Sequence, residues 1–201
     1  MVEPIIPRYE FRAFAQNFGL VVEKMRRLSP CHLIRESDEW YIMSAANNEI
    51  NTKIRDDNMD IKCFVQEKAG LEQWRPLTKA PFPVTAELLD DTIFPAFGVE
   101  PPTFRRSTYA LDQFLKEIIW PHPHLIPVRV FKRRFAFTID GCMAEHAKLL
   151  INGAAIQTVA VESEDTAVVV KAKTLLGLEE YENVNYLLAI KRIIGLEPYM
   201  P

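Results

Sequence analysis

Three groups of charged residues in this 201-residue chain have the spacing of chemistry carried out from β-strands. Arg8, Glu10 and Arg12 alternate with Tyr9, Phe11 and Ala13. Lys53 and Arg55 alternate with Thr52 and Ile54, and Asp60 and Lys62 follow. Glu162 and Glu164 flank Ser163. Successive strand side chains point to opposite faces, so each group gathers its charge on one side of a strand. Inside a closed barrel such cations hold a polyanion, and such carboxylates offer the hard oxygen ligands that suit Mg²⁺ or Mn²⁺. On a solvated sheet the same pattern makes only surface ion pairs. Glu162 and Glu164, just before Asp165, serve equally as the acidic start of a helix.

The elements that must position these residues are legible from periodicity and turn chemistry. Strands are predicted at about 7–14, 31–36, 40–45, 49–55, 59–66 and 73–77, with Gly19 to Leu28 as a short helix or loop. Ser37-Asp38, Asn47-Asn48, Asp56-Asp57-Asn58 and Ala69-Gly70 read as the joints of an antiparallel meander. A proline-rich segment at about 81–127 interrupts it with two helical patterns. One is capped by Thr85 and ends before Gly98, with Pro95 as a kink or an earlier stop. The other starts at Ser107 or Thr108 and carries a stripe of Leu111, Phe114, Leu115 and Ile118. Three more strands follow at about 128–139, 142–151 and 154–163, the last two joined by the hairpin signal Asn152-Gly153. Asp165 caps a helix that Gly177 stops, and the tail from Asn183 to Ile194 is a strand or a helix. Strands, a helical insertion and strands again make an α+β chain, read as a single domain over 1–201.

Composition narrows the function. A net charge of −3 argues against a general nucleic-acid binder. Three cysteines, Cys31, Cys63 and Cys142, form no CxxC pair, so a disulfide framework or zinc site is not expected and each reads as a small buried apolar residue in a reducing, cytoplasmic setting. No apolar run approaches the roughly 20 residues that cross a bilayer, and the N-terminus has no signal-peptide pattern, so no membrane partner is expected. His122 and His124 stand two apart in a Pro-His-Pro-His loop, a weak metal signal, whereas His32 and His146 read as packing residues.

The ordered set Arg8-Tyr9-Glu10-Phe11-Arg12, Thr52-Lys53-Ile54-Arg55 with Asp60-Ile61-Lys62, and Val161-Glu162-Ser163-Glu164 resembles the motif order of the CYTH superfamily, the triphosphate tunnel metalloenzymes. The resemblance spans about 7–195 and is thinnest over 81–127. It implies an antiparallel eight-stranded tunnel barrel with flanking and inserted helices, binding a small phosphorylated anion such as a triphosphate or nucleotide. It implies phosphate contacts from Arg12, Lys53, Arg55 and Lys62, more weakly from Arg75 and Arg134, with the choice between Arg133 and Arg134 open. It implies Mg²⁺ or Mn²⁺ on Glu10, Glu145, Glu162 and Glu164. Metal-dependent triphosphate hydrolysis is the leading activity implied. A non-catalytic anion-binding module and a class IV-type adenylyl cyclase are the alternatives. Arg8 departs from the pattern, standing where the family has its first carboxylate, and Arg12 stands where it has lysine.

Overall fold

Turn residues in the left-handed region set the strand ends. In the computed structural model, which describes residues 6–196, β9 (Cys142–Ile151) and β10 (Ala154–Ser163) meet at Asn152 and Gly153, with φ of 45° and 89°. Both central positions of a type I′ turn require positive φ, which Asn and Gly tolerate best. The remaining long strands are β1 (Tyr9–Ala15), β2 (Leu33–Ser44), β3 (Ile50–Arg55), β4 (Asn58–Lys68), β5 (Leu71–Pro81) and β8 (Leu125–Ile139). The eight close into an antiparallel barrel in the order β1-β10-β9-β8-β2-β3-β4-β5. β1 closes the seam, pairing with β10 from Tyr9↔Ser163 to Ala15↔Gln157 and with β5 at Tyr9↔Gln73. The small pair β6 (Val84–Thr85) and β7 (Thr108–Tyr109) lies in the insertion.

Among the described residues, five helices accompany the strands: α1 (Gly19–Leu28), α2, α3, α4 (Thr166–Leu176) and α5 (Tyr186–Ile194). Helix α2 runs as α over Ala86–Leu88, π over Leu89–Ile93 and α over Phe94–Phe97; α3 runs as α over Leu111–Gln113 and π over Phe114–Ile119. Thr85 caps α2 by accepting the Leu88 N–H at 3.1 Å. Pro95 neither ends nor breaks α2, because it sits at the start of the last α segment, directly after the wider π turn.

The described residues gather into two compact units: 6–37, 64–75 and 131–185 form the first, and 38–63, 76–130 and 186–196 the second. In the first unit, Phe11, Ala13, Cys142, Ala144, Val159 and Val161 pack with Val21, Val22 and Met25 of α1 and Val169, Ala172 and Leu176 of α4. Each large apolar side chain so buried contributes about 2 kcal/mol. In the second unit, Ile42, Ile54, Met59 and Ile61 pack with Leu89, Ile93, Phe94 and Phe97 of α2 and with Phe114, Ile118 and Ile119 of α3. Also in the second unit, Tyr186 of α5 stacks on Tyr41 at 5.7 Å. The fully buried Lys191 donates to Asn47 O at 2.7 Å and Asn48 Oδ1 at 2.5 Å.

Several expectations are corrected. Ser37-Asp38 is no turn: β2 runs unbroken from Leu33 to Ser44, and Arg129 grips Asp38 from the neighbouring β8. Helix α3 begins after Ala110 rather than at Ser107 or Thr108, because Thr108 and Tyr109 are spent pairing with Thr85 and Val84. The tail is a helix. Cys142 is buried, but Cys31 is exposed, as is His32, so neither fills a core.

Candidate functional site

In the first unit, the helix-covered faces of β1, β9 and β10 take the apolar residues of the core, so alternation leaves Glu10, Arg12, Glu145, Thr158, Ala160 and Glu162 on the opposite, inner face. Arg12 dominates this face. It is 8% exposed, its Nε donates to Glu10 Oε1 at 2.7 Å, and its Nη1 reaches Glu145 Oε1 at 3.3 Å and Thr158 Oγ1 at 3.4 Å. Its backbone is fixed as well: Asn183 Oδ1 accepts the Arg12 N–H at 2.8 Å, and the Val184 N–H donates to Arg12 O at 2.7 Å. Arg8 Nη1 lies 3.9 Å from Glu162 Oε1. Glu72 shares this neighbourhood. Burial pushes its carboxyl above the usual range, while the Trp74 Nε1–H and the Asn185 amide partly oppose the shift.

Strand β8 settles the choice between Arg133 and Arg134. Arg133 is exposed, 3.4 Å from Glu36, with its guanidinium over the Phe135 ring at 5.6 Å, and Phe135 packs against the apolar core. Arg134 therefore points to the inner face, as does the buried Lys132. The Arg134 Nε and Nη2 atoms are both buried without a hydrogen-bond partner among the described residues. A cavity of about 100 Å³ on this face is lined by Arg12, His32, Thr138, Glu145 and Glu162 among others. That volume holds a few waters, and Arg134 is not among the residues that line it.

The remaining sequence candidates divide. Glu164 lies beyond the end of β10, exposed in the bend before α4, so alternation does not place it beside Glu162. Arg75 is exposed, on the strand face opposite Glu72 and Trp74. In the second unit, Lys53 and Arg55 lie on the inner face of β3, opposite the buried Thr52 and Ile54. Lys53 Nζ is 3.4 Å from Asp60 Oδ2, and Arg55 Nη1 is 3.7 Å from Glu39 Oε1. Burial pushes the Lys53 ammonium below its ordinary range, and Glu39 and Asp60 pull it back. Lys62, across from Asn51 in the ladder, has no ion pair among the described residues.

Glu10, Glu145 and Glu162 as arranged do not fit a divalent metal. Glu10 and Glu145 are already held by one guanidinium and Glu162 faces another, so an entering cation meets like charge on the very oxygens it needs. Among the described residues, no three His, Cys, Asp or Glu side chains converge on a common point.

Sequence reasoning missed Glu39, Lys132 and Glu72. Glu39 is fully buried and accepts from Tyr41 Oη at 3.3 Å. Its signal was the alternation Ser37, Glu39, Tyr41, Met43, hidden by the turn expected at Ser37-Asp38.

Neither a sequence-family profile nor a curated protein sequence matches the chain. Solved structures do. HpAC1 of Hippeastrum, an adenylyl cyclase candidate with a dominant triphosphatase activity, is 10% identical with a TM-score of 0.52, over 95% of this chain and 98% of its own. A conserved hypothetical protein of Pyrococcus furiosus is 12% identical at 0.50, over 90% and 98%. A protein of Pyrococcus horikoshii OT3 is 15% identical at 0.50, over 92% and 98%. This likeness shows the fold alone, the eight-stranded antiparallel closed barrel. No helix among the described residues is long and apolar enough to cross a membrane.

Proposed function

We propose that this barrel is a binding module for a phosphorylated anion of the triphosphate or nucleotide class and does not hydrolyse it. One observation carries the reading: Arg134 presents two buried donor nitrogens, Nε and Nη2, that no atom of the described residues accepts from. Leaving a buried charged donor unsatisfied costs about 1–3 kcal/mol or more, and an anionic oxygen removes that cost. A guanidinium offers paired donors at the spacing of two phosphate oxygens, so phosphate is the natural acceptor. The pairing of Arg12 with Glu10 and Glu145, and of Arg8 with Glu162, supports binding over catalysis, because each of these three carboxylates already faces a guanidinium rather than an open metal position.

Hydrolysis of a triphosphate is the second reading. It is favoured by the fold shared with HpAC1, whose dominant activity is of that kind. Calorimetric titration with tripolyphosphate and ATP in EDTA, with phosphate release followed in parallel, separates the two. Binding that Arg134→Met weakens about tenfold or more, without phosphate release, is the expected result. Turnover that depends on Mg²⁺ and disappears in Glu162→Gln replaces this reading with the hydrolase.

A further inference from the structure

The geometry points to Arg12 as a built-in cation that takes the place of a divalent metal between Glu10 and Glu145, so that this barrel handles its anion in metal-free form.

The placement follows from the ladder. Arg12 on β1 is in register with Ala160 on β10, and Ala160 is in register with Glu145 on β9. Neighbouring strands lie about 4.8 Å apart, so the methyl of Ala160 leaves a gap of roughly two strand spacings that only a long side chain spans. The Arg12 side chain spans it and bonds a carboxylate at each end, with Nε at 2.7 Å from Glu10 and Nη1 at 3.3 Å from Glu145. A metal would have to expel the guanidinium from both oxygens. The side chain has little room to leave, since it is 9% exposed and its backbone is pinned by Asn183 and Val184. Like charges in contact near a protein surface repel strongly, which opposes a cation settling beside Arg12. Arg8, more exposed, places a second guanidinium 3.9 Å from Glu162. Across the described residues of this wall, the carboxylates Glu10, Glu145 and Glu162 thus face two arginines and no converging third ligand.

The consequence for the ligand rests on the anion-binding reading; the exclusion of metal does not. The test therefore uses metal alone. Free Mn²⁺ is followed by its electron paramagnetic resonance signal on titration with protein, with no anion present. The wild type is expected to leave the signal unchanged. Arg12→Gln, checked for folding by circular dichroism, is expected to take up one Mn²⁺ with affinity about tenfold or more above wild type. Adding Glu145→Gln to that variant should remove the gain. Wild-type uptake of Mn²⁺ that Glu145→Gln abolishes overturns the proposal, as does a folded Arg12→Gln that binds none. Should Arg12→Gln not fold, the wild-type titration decides alone. A protein that excludes Mn²⁺ yet binds no tripolyphosphate keeps this inference and loses the functional reading; one that binds both does the reverse.

Discussion

Arg12 and Glu145 meet across a strand that belongs to neither, and the residue between them, Ala160, is 3% exposed. Their 3.3 Å bridge exists because that position carries a methyl group and nothing larger. Ala160→Leu places extra carbons under the guanidinium, and overpacking of this kind costs about 1–3 kcal/mol. The variant is expected to unfold at lower urea concentration than wild type, while Ala160→Gly, which keeps the gap, should keep most of the bridge. Equal loss in both would show that the alanine serves the strand and not the ion pair.

Arg134 is expected to trade stability for binding. With no anion present its buried Nε and Nη2 are a liability, so Arg134→Met should raise unliganded stability by about 1 kcal/mol. Tripolyphosphate should then raise the melting temperature of wild type and leave the variant unmoved, because a ligand stabilises only the state that binds it. Thermal melts of both proteins, with and without tripolyphosphate, give the two signs directly.

His146 gives the fold a dependence on acid. The ring stacks on Phe135 at 5.6 Å, its Nε2 lies 2.9 Å from Gln157 Oε1, and its Nδ1 is buried without a partner among the described residues. Nε2 therefore carries the proton of the neutral ring, and burial pushes the pKa below its ordinary value despite Gln157. A folded pKa below the unfolded one means that the unfolded chain binds more protons. The stability from His146 is thus complete above the unfolded value near 6.5 and is lost as pH falls below it, at up to about 1.4 kcal/mol per pH unit. Urea unfolding at pH 5 and pH 7.5 should show a smaller difference for His146→Gln than for wild type.

Lys191 holds α5 to the turn between β2 and β3 through Asn47 O and Asn48 Oδ1, and no part of it is exposed. Lys191→Met keeps the bulk but leaves both oxygens without their donor, a loss of about 1–3 kcal/mol. Amide exchange should quicken in residues 47–50 and in α5 more than in α1. Uniform quickening across the chain would mean that the lysine stabilises globally rather than as a local tie.

Where a strand end, cap or stop was written in one or two adjacent residues, the sequence was enough. Asn152-Gly153 marked the hairpin of β9 and β10, and Asp165 and Gly177 marked both ends of α4. Features decided by a distant partner were not legible. Thr108 looked like a helix cap until its pairing with Thr85, and Ser37-Asp38 looked like a turn until Arg129 met Asp38. The inner-face charges were visible as types, but not their neighbours. Nothing local in Arg8-Tyr9-Glu10-Phe11-Arg12 says that Arg12 will reach a glutamate on β9, since that depends on Ala160 in a strand about 150 residues away.

The seam formed by β1 and β10 also bears on how the chain reaches its native state. Arg12 and Thr158 are 146 residues apart in sequence, and they become neighbours only when the seam closes. The β9–β10 hairpin needs only a short loop, whereas the seam must first overcome the entropy of a loop that takes in most of the protein. Hairpins formed early would thus wait with one edge of β10 unpaired, presenting open N–H and C=O groups to any other strand. Refolding at high protein concentration is the moment at which this barrel is most exposed to pairing with a second chain.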